Sequence, residues 1–411
     1  MSPNVGLVTP HSRCVLFLYL LCSSIAGETI GSEQEVVDML SWARSGGARF
    51  PKLVVRNSKD KGRGVYATEN IKLGEEILYV PDRLVIAPIN SLLFLQKHIE
   101  DTCSFPAGDD SWREGISDLH LMALFLLQQR NDSLSEYHPY TMSFPDRMDT
   151  TIHWTDEELQ ELQDFTLRKK RSLQGFYSDV MERLQGRVPA SVIWSRSFVV
   201  TDNRGEKGGA LVPISDMFNY RGEEDVTGEE GTGEGGMIVR AKKDIREGEE
   251  IYLRYGRRKM TNGQLMMDYG FLLEVPEDDG VMIPSIAPTE RNTPLSDQRA
   301  DILSALQLDG DFVYVSSSSH RDILTCTRVH RMSELDFEGR MDPRRPFEEE
   351  RRERSAVRAC LSHLKRILQR YPKEMGEVES YRRSMARQLA REEKERLNEI
   401  VENMEKTLQK K

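Results

Sequence analysis

The pattern of apolar and polar positions changes three times along the chain. Between about residues 50 and 87, short β-rich runs such as Leu53-Val54-Val55 and Ile77-Leu78-Tyr79-Val80 are separated by glycines. This pattern predicts strands joined by tight turns. Between about residues 90 and 194 the pattern is helical, and the apolar run Leu119–Leu127 predicts a buried helix. Strand signals then return between Phe198 and Phe271.

The last part of the chain is predicted to be helical. It follows a proline-containing stretch near residues 284–294. Two apolar stripes at helical spacing lie beyond it, one formed by Val357, Cys360, Leu361, Leu364 and Leu368, the other by Leu397, Ile400, Val401, Met404 and Leu408. Such stripes are typical of helices that pack against one another, so we expect a small all-α domain over residues 285–411.

A sequence echo connects the two strand-rich parts. The pattern Ala-x-x-x-Ile-(Lys/Arg)-x-Gly-Glu-Glu-Ile occurs at residues 67–77 and again at residues 241–251. Each copy predicts a strand, a turn whose glycine tolerates a positive φ, and a second strand. Two copies so far apart do not form a solenoid. We interpret them as halves of one α+β fold, in which a helical insertion over about residues 90–194 divides the β-rich part.

The segment Gly222–Gly236 interrupts the second half. It contains six acidic residues among many glycines. A segment of this composition buries little apolar surface, so it is predicted to be a mobile surface loop.

Composition excludes several classes of protein. The 411 residues are enough for two or three domains, and 57 Lys and Arg against 67 Asp and Glu give a net charge of −10. This balance provides no general attraction to nucleic acid, although a basic protein surface is a compatible partner. The five cysteines, at positions 14, 22, 103, 326 and 360, form no C-x-x-C pair. They predict neither a structural zinc site nor a disulfide framework.

The first 27 residues have the three-part form of a secretory signal. Arg13 precedes the apolar run Val15–Cys22, and the segment Ser24-Ile25-Ala26, with small residues at its first and third positions, follows it. The apolar run is too short to span a bilayer. The alternatives are an unstructured extension or a wrongly assigned start.

Three segments between residues 61 and 271 carry residues suited to chemistry. The first is Gly62-Arg63-Gly64, whose glycines let the backbone approach a ligand. The second joins Ser195-Arg196-Ser197-Phe198 to the run Leu211–Tyr220, which ends in Asp216 and Asn219. The third comprises Tyr252-Leu253-Arg254-Tyr255-Gly256 and Asp268-Tyr269-Gly270-Phe271, which could line an aromatic slot.

In this order the segments resemble the SET-domain methyltransferases, and more closely the Rubisco large-subunit methyltransferase type. Tyr140, Pro145 and the run Trp154–Leu159 resemble that family's helical insertion, and Arg370-Tyr371-Pro372 with the following helices resembles its C-terminal substrate-binding domain. The resemblance covers about residues 35–410, with a SET domain over residues 35–275. It implies a protein-lysine N-methyltransferase that uses S-adenosylmethionine and no metal.

The resemblance also implies a role for each site residue. Gly62, Arg63 and Gly64 would lie against the methionine part of the cofactor, with Arg196 near its carboxylate. Asn219 and Tyr220 would hold its polar groups, and Phe271 would pack against the adenine. Asp216 and Tyr269 would border the acceptor channel, and Tyr255 would be the central catalytic residue. The family usually has histidine where this chain has Tyr220.

The chemistry of methyl transfer explains these residue types. Transfer from a sulfonium is a single in-line displacement, so the main demand on the protein is alignment. A lysine amine must first lose its proton, and an apolar channel beside a cationic sulfur lowers the pKa of that amine.

Two other functions remain open at this point. One is a histidine methyltransferase, and the other is a non-catalytic binding module of the same fold. We expect a monomer without a membrane span, which docks a lysine-bearing protein through its C-terminal helices. The leader is compatible with a plastid reached through the secretory route, and the cytoplasm is the alternative.

Overall fold

The computed structural model describes twelve stretches of the chain. They are residues 32–58, 62–103, 117–145, 148–162, 187–201, 207–230, 235–255, 260–275, 280–286, 295–316, 320–372 and 380–410. The predicted leader over residues 1–27 lies outside them. No helix within these stretches is long and apolar enough to cross a bilayer.

The described residues form the following elements. The strands are β1 (Leu53–Ser58), β2 (Gly62–Ala67), β3 (Glu76–Val80), β4 (Ser197–Thr201), β5 (Lys207–Leu211), β6 (Asn219–Tyr220), β7 (Val226–Glu230), β8 (Met237–Ala241), β9 (Glu250–Leu253), β10 (Val281–Pro284) and β11 (Phe312–Val315). The helices are α1 (Glu33–Ser45), α2 (Pro88–Cys103), α3 (Asp118–Asn131), α4 (His138–Met142), α5 (Asp156–Leu159), α6 (Arg187–Arg196), α7 (Asn262–Tyr269), α8 (Ser296–Ala305), α9 (Arg321–Val329), α10 (Glu334–Glu338), α11 (Glu350–Leu368) and α12 (Tyr381–Lys410).

The chain divides into two compact units, each with its own sheets. The first unit comprises Met1–Met148 and Phe176–Arg258, and the second comprises Asp149–Gly175 and Lys259–Lys411. The first unit contains a four-stranded sheet in the order β1-β2-β9-β6, a three-stranded sheet in the order β3-β8-β7, and the hairpin β4-β5. Strands β6 and β9 are parallel, and the other neighbours are antiparallel.

The two copies of the sequence echo contact each other in the first unit. Strand β2 of the first copy pairs with β9 of the second, and β3 pairs with β8. Their turns meet at a bridge in which the backbones of Ile71 and Ile245 exchange two hydrogen bonds of 2.9 Å. Gly74 and Gly248 adopt φ values of +80° and +82° in these turns. The prediction of one divided β-fold is therefore confirmed.

The acidic segment Gly222–Gly236 is more ordered than predicted. Strand β7 lies within it and pairs with β8 from Val226 opposite Ala241 to Glu230 opposite Met237. The prediction of a mobile loop was wrong for this part, because backbone hydrogen bonds and the fully buried Val226 hold the strand. Residues 231–234 lie outside the described stretches.

Helix α3 follows the predicted buried helix closely. Its residues from Leu121 to Leu126 are all buried, and Ser117 caps its first turn. The strand-rich region that was predicted over residues 198–271, in contrast, has its last strand end at Leu253. Helix α7 replaces the expected strand because Thr261 and Gln264 form a capping box at its start.

The second unit combines helices with one small sheet. The predicted stripes on α11 and α12 form its core, with Leu364, Leu397 and Ile400 fully buried. Cys326 and Cys360 are free thiols in the same core. Strands β10 and β11 pair antiparallel there, so the all-α prediction missed one two-stranded sheet. These four-residue strands bury alternate residues against the helices, which is too short a pattern to stand out in a helical region.

Candidate active site

Three strands of the first unit bring the first group of site residues together. Asn219 on β6 lies opposite Tyr252 on β9 in a parallel register. The Asn219 amide donates to Glu250 Oε1 at 2.7 Å, and the Tyr252 hydroxyl donates to Glu250 Oε2. Burial, followed by this hydrogen bond, raises the pKa of Tyr252. Glu250 therefore holds two side chains of the site with its two carboxylate oxygens.

Gly64 on β2 faces this carboxylate at very short range. A Cβ atom added at Gly64 would lie 2.4 Å from Glu250 Oε1 and 2.9 Å from Asn219 Nδ2. Gly62, two residues earlier, has open space around it but a φ of +71°. The two glycines thus serve different purposes, since Gly64 provides room and Gly62 provides a backbone conformation.

Sequence reasoning overlooked Glu250, although a signal was present. Its counterpart in the first copy of the echo is Glu76, which pairs on the surface with Arg49 and Arg240 at 3.3 and 3.5 Å. Glu250 points instead to Asn219. Of the two equivalent glutamates, only Glu250 is followed by the tyrosine-containing segment Tyr252–Tyr255. That position in the sequence could have identified it as the glutamate of the site.

Tyr255 and Tyr220 lie side by side near the end of β9. The Tyr255 hydroxyl donates to the backbone oxygen of Phe218 at 2.7 Å. The two tyrosine rings have centroids 5.2 Å apart and planes inclined at 47°. Tyr220 is 5% exposed, so the ring that replaces the family's histidine packs in the interior against the predicted catalytic residue.

Asp216 follows a strained turn. Ile214 has φ +70° and ψ −44°, a conformation that a β-branched residue rarely adopts, and the 3₁₀ turn Ser215–Met217 follows it. The Asp216 side chain is fully buried. Strain of this kind persists only where the surrounding structure enforces it, and it concentrates at functional sites.

Asp216 belongs to a buried polar network with two arginines. Arg196, the last residue of α6, donates from Nη1 to the Asp216 backbone oxygen at 2.7 Å, and the same Nη1 lies 3.5 Å from Asp216 Oδ2. The Tyr140 hydroxyl donates to Asp216 Oδ2 at 3.2 Å. Arg63 donates to the backbone oxygen of Ser143 at 2.6 Å.

The pKa values of this network reflect its burial. Burial raises the pKa of the Asp216 carboxyl, while Arg196, Tyr140 and Arg63 act in the opposite direction. Burial also lowers the pKa of Arg63, and the nearby charge of Arg196 lowers it further. The network contains two guanidinium groups and one carboxyl group. It is therefore suited to an anionic group, and Arg196 remains 22% exposed.

Tyr269 and Phe271 lie in the second unit, at the end of α7. Both are half-buried, and their ring centroids are 6.4 Å apart. Gly270 between them ends the helix with a φ of +82°, and a Cβ atom there would lie 2.6 Å from the Asp149 backbone. The structure thus places these two predicted site residues in the second unit. It brings the other eight together in the first unit, namely Gly62, Arg63, Gly64, Arg196, Asp216, Asn219, Tyr220 and Tyr255.

The chain is similar to known proteins in sequence and in fold. Residues 62–256 match the family model described as SET domain. Among curated proteins, it is 24% identical over 329 residues to the actin-histidine N-methyltransferase of Canis lupus familiaris, covering 73% of this chain and 54% of that protein. It is 25% identical over 270 residues to the Homo sapiens protein of the same name, covering 60% and 44%. The chain thus spans about half the length of the curated relatives it matches.

Solved structures agree on the fold. A SET domain of LSMT bound to lysine and AdoHcy superposes with a TM-score of 0.70 at 19% identity, covering 91% of each chain. Rubisco LSMT bound to AdoMet gives a TM-score of 0.69 at 19% identity, covering 91% of this chain and 92% of the other. These comparisons confirm the predicted SET fold with a helical C-terminal region. The roles given to the individual site residues stay predictions.

Proposed function

We propose that this chain, with a SET domain over residues 62–256, is an S-adenosylmethionine-dependent protein methyltransferase whose acceptor is a lysine side chain. The observation that carries the proposal is the convergence of Gly64 on β2, Asn219 on β6 and Tyr255 just after β9. A binding module of the same fold that has lost its polar site residues could also match the SET-domain model, so the match alone does not indicate catalysis. Here they are present and held by hydrogen bonds.

The residues present fit the amino-acid end of such a cofactor. The network around Asp216 combines two arginines with one carboxyl group, so a ligand carboxylate would balance its charge. Arg196 and Arg63 would supply the cationic donors, and Asn219 and the backbone near Gly64 would contact the remaining polar groups. Bound S-adenosylmethionine would supply an electrophilic methyl group on a sulfonium.

Tyr255 is suited to orient the acceptor. Its hydroxyl donates to the Phe218 backbone oxygen, which fixes the phenol oxygen in place, and a phenol oxygen can accept a hydrogen bond from the N–H of an amine. An amine held in this way presents its lone pair along one direction. Alignment of this kind can contribute several kcal/mol to a displacement reaction, up to about 7–11 for ideal positioning. Tyr255 need not act as a base.

Histidine is the second candidate acceptor. The curated relatives are named actin-histidine N-methyltransferases, which favours this alternative. Solved neighbours of similar fold were determined with lysine and monomethyllysine, which favours lysine. A binding module without turnover is the third reading, and Tyr220 in place of histidine is the feature that favours it.

The test has a binding arm and a turnover arm. Calorimetry with S-adenosylmethionine should show saturable binding by the wild-type chain and by Tyr255→Phe, whereas Asn219→Ala should bind more weakly. Incubation of a protein extract with radiolabelled S-adenosylmethionine, followed by acid hydrolysis, would separate methyllysine from methylhistidine. A folded chain that binds no S-adenosylmethionine would refute the proposal, and labelled methylhistidine alone would replace lysine by histidine. We expect Tyr255→Phe to abolish the labelling.

A further inference from the structure

Tyr140 in the helical insertion is part of the polar network, although no role was predicted for it at the site. It lies on the short helix α4 and is fully buried. Its hydroxyl donates to Asp216 Oδ2, the carboxylate oxygen that also faces Arg196. Asp216 Oδ1 has no hydrogen-bond partner within the described part of the chain. Tyr140 is therefore the only hydroxyl group among the described residues that donates to this carboxyl group.

The Tyr140 ring is fixed by aromatic packing on two sides. It stacks on Trp42 with centroids 5.7 Å apart and planes inclined at 7°. Phe144 packs against it at 4.7 Å with planes inclined at 62°. A ring fixed on two sides fixes the position of its hydroxyl oxygen as well. Asp216 Oδ2 is thereby held at one point.

The same segment also binds the second arginine of the network. Arg63 Nη1 donates to the Ser143 backbone oxygen, and the Ser143 hydroxyl donates back to the Tyr140 backbone oxygen at 2.7 Å. Residues 140–143 thus contact the carboxyl group through a donor and Arg63 through an acceptor. Arg196 depends on this arrangement because both of its contacts to the network go to Asp216.

We propose that Tyr140 is a positioning residue, which holds Asp216 so that Arg196 is oriented to bind the carboxylate of the methyl donor. The inference rests on the proposed function. Tyr140 touches neither the donor nor the acceptor in this scheme. It acts through Asp216 on Arg196, and it connects the insertion to the ligand-binding part of the first unit.

The first experiment uses two ligands that differ in the amino-acid part, which carries the carboxylate. S-adenosylhomocysteine carries the amino-acid carboxylate, whereas 5′-methylthioadenosine keeps the adenosine and sulfur but lacks it. For Tyr140→Phe in the full chain, we expect about tenfold weaker binding of S-adenosylhomocysteine, as for a lost hydrogen bond to a charged group. Binding of 5′-methylthioadenosine should be unchanged. Calorimetric titration measures both.

Tyr137→Phe provides a matched control. Tyr137 precedes the same helix, and its hydroxyl donates to the Arg83 backbone oxygen at 2.7 Å, away from Asp216. The control should leave both ligands unaffected. Equal weakening of both ligands by Tyr140→Phe would indicate general damage to the pocket and overturn the inference, as would unchanged binding of S-adenosylhomocysteine. Failure of the wild-type chain to bind either ligand would instead refute the proposed function.

A double-mutant cycle tests whether Tyr140 acts through Arg196. If it does, Tyr140→Phe should cause no further loss of S-adenosylhomocysteine binding in an Arg196→Ala background. Additive losses would show that the two residues act independently, and the inference would then be wrong.

Discussion

Glu393 in the second unit should make the stability of this protein fall as the pH rises. It lies on α12, and its Oε2 accepts a hydrogen bond from the Tyr371 hydroxyl at 2.9 Å. Burial, followed by the nearby charge of Glu392, raises the pKa of Glu393 to about 7, although the Tyr371 hydrogen bond acts in the opposite direction. A cavity of about 210 Å³ beside it is also lined by Glu274, Glu395 and Arg396.

The size of the effect follows from proton linkage. The pKa of Glu393 rises from an ordinary value of 4.5 to about 7 on folding, so the folded state binds the proton more tightly. Below pH 4.5 both states are protonated, and no stability is lost. Between pH 4.5 and 7 the unfolded state releases the proton first, so the free energy of unfolding decreases as the pH rises. One pKa unit corresponds to about 1.4 kcal/mol, so the free energy of unfolding has fallen by about 3 kcal/mol once the pH exceeds 7.

Glu393→Gln should remove this dependence. The glutamine oxygen can still accept from Tyr371, but the side chain carries no charge at any pH. We expect the variant to match the wild type near pH 5 and to exceed it at pH 8 by up to about 3 kcal/mol. For a unit of this size the gain corresponds to roughly 6–12 °C in melting temperature. Thermal and urea denaturation between pH 5 and pH 8.5, followed by circular dichroism, measure both quantities.

Glu399→Gln on the same helix is the control, because Glu399 is exposed and pairs with Arg396 on the surface. This substitution should change the stability little at any pH. The reasoning is refuted if Glu393→Gln is no more stable than the wild type at pH 8. A variant less stable than the wild type at pH 8 would mean that the ionised carboxylate is stabilised where it lies.

Two further predictions concern the first unit. Glu250→Gln leaves one acceptor oxygen for the two donors Asn219 and Tyr252, so we expect about tenfold weaker binding of S-adenosylmethionine by calorimetry. Glu249→Gln, at the exposed neighbouring position, is the control and should have no effect. Gly64→Ala places a methyl group 2.4 Å from the Glu250 carboxylate and should weaken the same binding, whereas Gly209→Ala, whose Cβ would lie 3.5 Å from its nearest neighbour, should not. Unchanged binding by Gly64→Ala would show that the carboxylate can move without consequence.

Patterns carried by residues close in sequence were predicted well. The echo at residues 67–77 and 241–251 predicted a divided β-fold, because each copy contains its own strand, turn and strand. The buried helix α3 and the stripes of α11 and α12 were predicted for the same reason, since helical spacing shows directly which side is buried.

The acidic segment Gly222–Gly236 shows that composition alone does not predict whether a segment forms a strand. Few of its residues bury apolar surface, yet β7 forms within it, because strand pairing depends on backbone hydrogen bonds that composition does not report. Strands β10 and β11 were missed for a related reason. Each is four residues long, and the two lie far apart in the sequence, so neither pattern identifies its partner.

By itself, the sequence determined the period of each element, the order of the motifs and the residue types that the site contains. Tertiary structure decided which of them meet. Glu250 reaches Asn219 only because β6 and β9 run parallel, and Tyr140 reaches Asp216 only because the insertion folds back onto the strained turn after Ile214. The pattern of a helix or strand depends on residues that are close in sequence, whereas contacts between distant residues depend on how whole elements pack.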